Sequence, residues 1–458
     1  ISGKSPEGFV IYKTDLHPWH PDWRKIRGDV WDEPHHIMPE QSEFLKHRLP
    51  GNPITYDVVG GHSDAFDWDR HLAHVSNIYD LLLPFLLTNG RLTEDNLSIR
   101  ESGNGIPDLI DEARNEVDFF LSIRDGEAYS QGVTNPSTEW TIMFQAGCTT
   151  MAAWANAANC AMLAEAFRIH GDEELCAYYT EEAVKAYRYA EKQEWTQLDD
   201  LQNIGTSGMR GRDFKQMAAA FLYNLTGERS WEDVMALESV VKDGKSPVFS
   251  KQGRNQFYQI WGTAAYLTCP HERHYLELYD NMKSSVNHQA DENNVNHMYA
   301  RPSRRTANDP RWQTSQNLQM VMLAHYIADN SERRSRLEAA MYIEAGWGLG
   351  RNPANIVEMT GLGERHIVDC YTTGRNDGTP GSHPGQTPFN GTETWSAGNG
   401  GDATIILGRC YPDWYTSGWP RQESFFNIRY MWVNGEFTPR ETMRGKMALL
   451  AYLYGIRE

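Results

Sequence analysis

The chain of 458 residues is 40% hydrophobic and 23% charged, which is typical of a folded globular protein rather than a disordered one. Its formal net charge of −18 excludes nucleic acid and anionic membranes as preferred partners, because a phosphate backbone needs a basic surface. The sequence has no run of about 18 apolar residues, so no transmembrane helix is predicted. These totals leave the oligomeric state open and favour a neutral or cationic substrate.

Metal-binding patterns are weak in this sequence. The six cysteines show no Cys-x-x-Cys spacing, so a zinc site of that type is not predicted. Four histidines within residues 17–36 could bind a metal, but their spacing is irregular, and we expect a surface loop beside a cleft. No cofactor is expected to be required. A structural calcium ion is compatible with the sequence, although no EF-hand-like run occurs.

Two carboxylates three residues apart end the loop-rich N-terminal segment, residues 1–69. Asp64 and Asp67 follow the glycine pair in the stretch D-V-V-G-G-H-S-D-A-F-D, residues 57–67. Carboxylates this close push each other's pKa values apart, so one can hold a water while the other accepts its proton. The alternative for both aspartates is an ordinary role in a turn or as a helix N-cap.

From residue 70 onward, apolar residues recur at helical spacing. The first predicted helix covers 70–88, and a second apolar stripe runs from Ile106 to Leu121. Further helices are predicted at 142–169, 173–193, 212–226, 230–242, 255–268, 272–288, 313–329, 332–349 and 439–455. Residues 350–438, rich in Gly, Pro, Thr and Trp, are predicted to form a long loop region on the active face, with a helix near 402–408.

Short turns separate these helices, as in His170-Gly171-Asp172, Thr226-Gly227-Glu228 and Asp329-Asn330-Ser331. Helices joined in this way form antiparallel hairpins. Close to twelve helices, arranged as six hairpins, predict an all-α fold for residues 70–458, an (α/α)6 toroid against which residues 1–69 pack. No linker divides the chain, so one domain is predicted.

Four segments resemble glycoside hydrolase family 9, whose best-known members are cellulases. Residues 57–67 are similar to the family signature D-V-S-G-G-W-x-D-A-G-D, and residues 96–112 to N-x-P-E-S-G-N-G-I-P-D-I-L-D-E. Residues 347–363 resemble L-G-x-N-P followed by T-G-F-G, and residues 430–436 resemble, more weakly, the segment that carries the family's catalytic acid. The resemblance implies the (α/α)6 toroid, inverting hydrolysis of β-glycosides, and a secreted or periplasmic location. The first residues are not a signal peptide, so we expect that one was removed or that another module precedes them.

The same resemblance implies the catalytic residues. Inversion needs an acid that protonates the leaving oxygen and a base, about 6.5–9.5 Å away, that activates a water. Asp67 is the predicted base, and Asp64 would hold the same water or tune Asp67. Glu436 is the predicted acid, and burial against Trp432 would raise its pKa.

A second glutamate, Glu441, is the alternative acid. Gly435 stands before Glu436 where the family usually has Asn, and the following segment aligns only with a small insertion. Thr438 and Glu441, however, have the spacing of a helix capping box. We therefore favour Glu436.

Sugar contacts are predicted around the carboxylates. His383 falls where the family has a sugar-contacting His-His-Arg run, and because no Arg follows it, Arg375 could supply the cation. The residues that flank the aspartates and are predicted to shape neighbouring subsites are His62, Trp68, Arg70 and His71. The candidates for stacking on sugar rings, each of which could instead be a core residue, are Trp140, Trp312, Trp395, Trp414 and Trp419.

Departures from the family pattern bear on the substrate. His62 and Phe66 stand where the signature has Trp and its inner Gly. The favoured substrate is a β-1,4-glucan, cut as by an endoglucanase, or a related β-glycan. The alternatives are an exo-acting β-glucosaminidase-like glycosidase, a carbohydrate-binding relative without turnover, and a polysaccharide lyase on a similar toroid.

Overall fold

The computed structural model describes residues 9–13, 54–58, 60–62, 70–134, 142–204, 208–250, 255–292, 312, 316–368, 370, 384–388 and 438–457. Within these ranges, the helices used below are α1 (Ser76–Leu87), α2 (Asp108–Ser122), α3 (Thr150–His170), α4 (Glu173–Lys192), α5 (Gly211–Thr226), α6 (Arg229–Glu238), α7 (Ile260–Thr268), α8 (Leu276–Ala290), α9 (Gln316–Tyr326) and α10 (Ser331–Gly348). A last helix, α11, consists of Pro439–Thr442, a π-helical turn at Met443–Met447, and Ala448–Gly455.

Six of these helices form a closed inner ring. Helix α1 packs against α3, α3 against α5, α5 against α7, α7 against α9, α9 against α11, and α11 returns to α1. Helices α2, α4, α6, α8 and α10 pack outside the ring, each against one or two of its members. The fold is therefore an all-α (α/α)6 toroid, as the sequence predicted.

Hydrophobic patterning separates the inner from the outer helices. Every residue of α1, from Ser76 to Leu87, is buried, and α3 is buried from Thr150 to Phe167. Outer helices instead bury one stripe, which is typical of an amphipathic helix on a core. In α4 the buried residues are Tyr179, Glu182, Ala183, Ala186, Tyr187 and Ala190.

The predicted turns between helices are confirmed. Gly171 and Gly227 follow α3 and α5 with φ of +95° and +68°, the left-handed conformation that commonly ends a helix. The side chains of Asp172 and Asn330 then accept hydrogen bonds from the backbone N–H groups of Leu175 and Arg333. These caps satisfy donors that a helix leaves unpaired at its start.

Short strands are the main feature that the helical pattern did not predict. The described strands are β1 (Phe9–Lys13), β2 (Ile54–Val58), β3 (Arg70–His71), β4 (Gly132–Thr134), β5 (Ile142–Gln145), β6 (Leu201–Asn203), β7 (Gly208–Arg210), β8 (Phe249–Ser250) and β9 (Phe257–Tyr258). A five-stranded sheet has the order β2-β1-β5-β4-β3, and two separate hairpins are formed by β6 with β7 and by β8 with β9. Strands β3, β5, β7 and β9 each precede an inner helix, so the strands gather at one end of the ring.

Four predicted helix starts were wrong. The helix predicted from 272 begins at Leu276, and the other three are displaced by short strands. The helices predicted from 70, 142 and 255 begin at Ser76, Thr150 and Ile260, because β3, β5 and β9 occupy the preceding residues. A short apolar run does not distinguish a strand from the first turn of a buried helix. The helix predicted near 402–408 lies outside the described residues, and the division at residue 69 stays a prediction.

Among the described residues, no helix is long and apolar enough to cross a membrane.

Candidate active site

Most of the predicted site residues lie outside the described residues. These are Asp64, Asp67, Trp68, Arg375, His383, Trp432 and Glu436, together with the side chain of Glu441. Their roles as base, water-holding group, acid and sugar contacts stay predictions. The structure describes both ends of the segment that carries Asp64 and Asp67, and those ends show how the segment is held.

The two ends of this aspartate loop, residues 63–69, are tied together. Nε of Arg70 donates a hydrogen bond to the carbonyl oxygen of Gly60 at 3.1 Å. The backbone N–H of Gly61 donates to the carbonyl oxygen of Asn115 on α2 at 3.3 Å. The chain therefore leaves and returns at nearly the same place, directly ahead of the first inner helix.

The glycine pair before the loop is required by its surroundings. Gly60 and Gly61 have φ of +90° and +80°, which favours glycine. A Cβ on Gly61 would lie 2.8 Å from Cδ of Arg70 and 2.8 Å from Cγ of Phe119. The family's Gly-Gly element thus lets the backbone at residues 60–61 lie directly against α2.

His62 binds two carboxylates one helical turn apart on α2. Its Nε2 lies 2.8 Å from Oε1 of Glu112, and its backbone N–H donates to Oε2 of Glu116 at 2.5 Å. Nδ1 of the same imidazole lies 3.4 Å from Oε2 of Glu116. Residues spaced i and i+4 share one face of a helix, so both glutamates reach the same histidine. We call His62, Glu112, Glu116 and Arg70 the loop clamp.

Burial makes the loop clamp electrostatically strong. Burial lowers the pKa of His62, but the charges of Glu116 and Glu112 and the hydrogen bond to Glu112 outweigh it, so the pKa is raised. Burial raises the pKa of Glu116, although His62, His74 and Arg70 oppose this. A buried charge is tolerated only when it is paired and hydrogen-bonded. An imidazolium between two glutamates meets that condition and fixes the start of the loop.

His62, which the sequence predicts to shape a neighbouring subsite, lies buried against α2. Its side chain has no exposed surface, and its described contacts are with α2. In this position it fixes the chain at the residue before the aspartate loop, and direct contact with sugar stays a prediction. Arg70 is also buried, whereas His71 is half-buried and stacks on His74 with ring centroids 4.4 Å apart.

The second family-like segment, residues 96–112, builds the start of α2. Asp95 accepts hydrogen bonds from the backbone N–H groups of Gly103 and Gly105, at 2.6 and 2.7 Å, and these bonds lower its pKa. Oδ2 of Asp108 accepts from Leu97 N at 2.5 Å and from Ser102 Oγ at 2.8 Å. The loop thereby fixes the helix that presents both glutamates to His62.

The third family-like segment packs around Trp312. A Cβ on Gly348 would lie 1.8 Å from the Trp312 ring, so only glycine fits beneath it. The backbone N–H of Trp312 donates to the carboxylate of Glu358. Trp312 is fully buried, so it is a core residue rather than an exposed stacking platform. The other four candidate tryptophans lie outside the described residues.

A buried lysine joins the predicted acid segment to the predicted His383 segment. Nζ of Lys446, in α11, donates to Oγ1 of Thr387 at 2.5 Å and to the carbonyl oxygen of Pro388 at 3.1 Å. Helix α11 also packs against α1, which follows the aspartate loop. The aspartate loop directly precedes α1, and the predicted acid segment directly precedes α11. The segment after His383 is bonded to α11 through Lys446.

Sequence reasoning missed the partners of His62 and the role of Lys446. Glu112 and Glu116 are about fifty residues from His62, and only the fold brings them together. A signal was present: two glutamates at i, i+4 on the otherwise apolar face of a helix need a cation. Lys446 gave a similar signal, as a lysine within the apolar pattern of the last helix.

The closed ring of inner helices, with the described residues on both sides of the Asp-x-x-Asp segment clamped ahead of its first member, defines the class of (α/α)6 toroids. The family model "Glycosyl hydrolase family 9" matches residues 20–391. The chain belongs to glycosyl hydrolase family 9.

Solved structures of similar fold agree with this assignment. A Bacteroides ovatus GH9 protein is 17% identical with a TM-score of 0.65, covering 90% of this chain and 75% of its own. A thermostable endoglucanase from Alicyclobacillus acidocaldarius, in a single-mutant form, is 16% identical with a TM-score of 0.64, covering 88% of this chain and 76% of its own. At these identities the likeness shows the fold.

One curated relative matches a part of the chain. A cellulose 1,4-beta-cellobiosidase from Acetivibrio thermocellus is 27% identical over 116 residues, which is 22% of this chain and 13% of that protein. The shared stretch is a small part of both proteins, so this chain's own activity and substrate are treated as proposals.

Proposed function

We propose that this chain hydrolyses β-glycosidic bonds with inversion of the anomeric carbon, on a β-1,4-glucan or a related β-glycan. The observation that supports it most directly is the loop clamp. Four buried side chains, all charged or chargeable, fix the described chain on both sides of the seven residues 63–69, which include the two family-like aspartates. The clamp thereby fixes the chain immediately before and after the segment that carries the predicted base.

The proposed mechanism uses side chains and water alone. Asp67 removes a proton from a water that attacks the anomeric carbon, and Asp64 helps to hold that water. Glu436 gives its proton to the leaving oxygen as the bond breaks. The acid must remain protonated near neutral pH, which burial beside Trp432 would favour by raising its pKa. His383 and Arg375 bind the sugar at the cleavage point.

The reaction as written requires no cofactor. Among the described residues, no group of three or more His, Cys, Asp or Glu side chains could hold a metal ion. A structural calcium ion elsewhere in the chain, and a secreted or periplasmic location, are further parts of the proposal that the family membership supports.

The test is hydrolysis by matched acidic variants. We expect Asp67→Asn and Glu436→Gln to lower reducing-end release from β-glucan by at least about a hundredfold, the usual contribution of a positioned acid or base. Asp280→Asn, an exposed change on α8 with the same chemistry, should retain the wild-type rate. An unchanged rate in Asp67→Asn would contradict the assignment. Glycan binding by the wild type without reducing ends would indicate the non-catalytic alternative.

A panel of glycans identifies the substrate. Cellulose oligomers, mixed-linkage glucan, xyloglucan and chitosan oligomers should each be supplied to the wild type. Release of single sugars from chitosan oligomers alone would indicate the exo-acting β-glucosaminidase-like alternative. An unsaturated product that absorbs in the ultraviolet would indicate a lyase.

A further inference from the structure

A concave basic surface lies between α4 and the turn that follows α2. The cavity has a volume of about 370 Å³, and we call it the basic cleft. Four cationic side chains line it, Arg124, Lys185, Arg188 and Lys192, against one carboxylate, that of Glu127. A volume of this size is within the range of small-ligand sites in proteins.

Helix periodicity places one wall of the cleft. Lys185, Arg188, Tyr189 and Lys192 occupy positions i, i+3, i+4 and i+7 of α4, so they lie on one face. The helix macrodipole favours cations in the last turn, which accounts for Lys192. It does not account for Lys185, two turns earlier, or for Arg124, which comes from a different element.

The opposite wall is a tight turn. The backbone groups of Asp125 and Ala128 exchange two hydrogen bonds, at 2.9 and 3.0 Å, across Gly126 and Glu127. Gly126 has φ of +60°. Backbone hydrogen bonds hold both walls, so the backbone of the cleft is already in place before a ligand binds.

The four cations of the cleft differ in whether a carboxylate already pairs with them. Arg124 and Lys185 both contact the buried Glu182, at 2.6 and 2.9 Å. For Arg188 and Lys192, by contrast, no ion pair occurs within the described residues, and both side chains are exposed. In a chain of net charge −18, unpaired cations gathered in one concave surface favour an anionic ligand.

Tyrosines form the floor. The rings of Tyr129 and Tyr189 meet edge to face with centroids 5.5 Å apart, and Tyr129 is buried beneath. The Arg124 guanidinium lies 5.9 Å from the centre of the Tyr129 ring. Tyr189 is half-buried, so part of its ring remains available at the cleft. Aromatic rings combined with cations suit a ligand that has both an apolar ring face and an anionic group.

The cleft lies at the end of the ring that carries the aspartate loop. The carbonyl of Tyr129 accepts a hydrogen bond from Thr149, the residue before α3, at 3.0 Å. Two residues later, the carbonyl of Gln131 accepts from Leu72 at 3.2 Å, and Leu72 follows the aspartate loop by three residues. A short backbone path therefore connects the cleft to the predicted catalytic segment.

We propose that the basic cleft binds an anionic sugar residue, bearing a carboxylate or a sulfate, of an acidic or acid-substituted glycan. Arginine binds a carboxylate or sulfate with two parallel hydrogen bonds, and lysine adds a point charge. This inference rests on the proposed function for its sugar ligand and goes beyond it by assigning a second binding site.

The experiment compares matched oligosaccharides by titration calorimetry. The probes are one neutral β-linked oligosaccharide, the same backbone with a glucuronic acid branch, and the same backbone with a sulfate group. The variant Arg188→Gln/Lys192→Gln is compared with Lys242→Gln/Lys245→Gln, which removes two exposed cations outside the cleft. Catalysis is silenced throughout by Asp67→Asn.

Both substituted oligosaccharides should bind more tightly than the neutral one, and the tighter of the two identifies the anionic group. We expect the cleft variant to lose about tenfold or more in affinity for the substituted probe, the control pair to lose little, and added salt to weaken binding. Equal affinity for neutral and substituted probes, or equal losses in both variant pairs, would overturn the inference. Competition by inorganic sulfate at the same concentration would overturn the sugar assignment. Hydrolysis of neutral β-glucan by the protein with an intact Asp67 tests the proposed function separately.

Discussion

The backbone N–H of His62 and its imidazole both face the same oxygen, Oε2 of Glu116, at 2.5 and 3.4 Å. One buried carboxylate thus fixes the main chain and the side chain of the residue that precedes the aspartate loop. Because Glu116 belongs to an outer helix, the position of the loop depends on how that helix packs. The predicted chemistry is consequently coupled to the stability of the fold.

Replacing His62 should remove the imidazolium that lies between the buried carboxylates of Glu112 and Glu116. We expect His62→Gln to lower the free energy of unfolding at pH 7 by about 3–5 kcal/mol, the usual cost of breaking a buried ion pair. Urea denaturation measures this. His170→Gln, which removes a histidine at the end of α3, is the control and should change stability by less than about 0.5 kcal/mol. A loss no larger than that of the control would show that the loop clamp contributes nothing.

The ion pairs of His62 with Glu112 and Glu116 also predict that stability depends on pH. Since the pKa of His62 is raised, its contribution to stability is complete below the unfolded value of 6.5 and is lost as pH rises through the folded value. Above pH 6.5, as His62 loses its proton in the folded state, the wild type should therefore lose stability more steeply than His62→Gln. Parallel curves over that interval would contradict an imidazolium in the loop clamp.

Gly61 offers a test of the close contact between the loop and α2. Gly61→Ala combines a positive φ with a Cβ 2.8 Å from Phe119, whereas Gly103→Ala has a similar φ of +90° and nothing within 4 Å. Both variants should be destabilised by the backbone strain, by about 1 kcal/mol or more. Gly61→Ala should lose more stability and should also lose glycan hydrolysis, while Gly103→Ala keeps it. Equal effects on both readouts would mean that the contact is unimportant.

Asp111 predicts a second pH effect, separate from the loop clamp. Burial raises its pKa to about 6, against the opposing hydrogen bond from Asn104. A raised pKa gives stability that is present below the unfolded value near 3.8 and is lost as pH rises through about 6. Asp111→Asn should therefore flatten the stability curve between pH 4 and 7, removing a change of up to about 3 kcal/mol. Urea midpoints across this range that shift in parallel for both proteins would contradict it.

Lys446 should matter for the site as well as for the fold. Lys446→Met removes the donor to Thr387 and Pro388 from a buried position, so we expect a loss of about 2–3 kcal/mol and a lower kcat/KM on β-glycan. Lys242→Met, an exposed lysine between α6 and α7, is the matched control. Full activity in folded Lys446→Met would show that the segment 384–388 does not support the site.

The helical ring was predictable because its signals are local. Gly171, Gly227 and Asn330 mark turns by backbone conformation and capping, and apolar spacing marks the helices between them. The strands of two to five residues were not predicted, since strands such as Arg70–His71 exist only through pairing with a distant partner, here Gly132–Val133. A sequence pattern of two residues carries no period.

The sequence identified the segments that carry the predicted site residues, but it did not identify the buried contacts that hold those segments. The spacing of Asp64 and Asp67 identified the loop, yet the buried partners of His62 depend on packing between a loop and a helix fifty residues away. Trp312 shows the reverse case. Its residue type suggested sugar stacking, and the contact with Gly348 shows that it fills the core. Burial, which a single sequence does not display, decides between these roles.

Comparing the activity of two variants distinguishes the two candidate acids, Glu436 and Glu441. Glu436→Gln should abolish turnover of β-glycan, while Glu441→Gln, at the capping-box position after Thr438, should keep most of it and lose only about 1 kcal/mol of stability. Initial rates on one soluble substrate measure both. Loss of activity in Glu441→Gln alone would transfer the role to Glu441.

The most direct measurement of the central claim is the anomeric configuration of the first product, followed by proton NMR as a soluble β-glucan is cut by the wild type. A base and an acid on opposite sides of the bond, with a water between, predict that the new reducing end appears first as the α-anomer and then mutarotates. A new reducing end that appears first as the β-anomer would contradict the account.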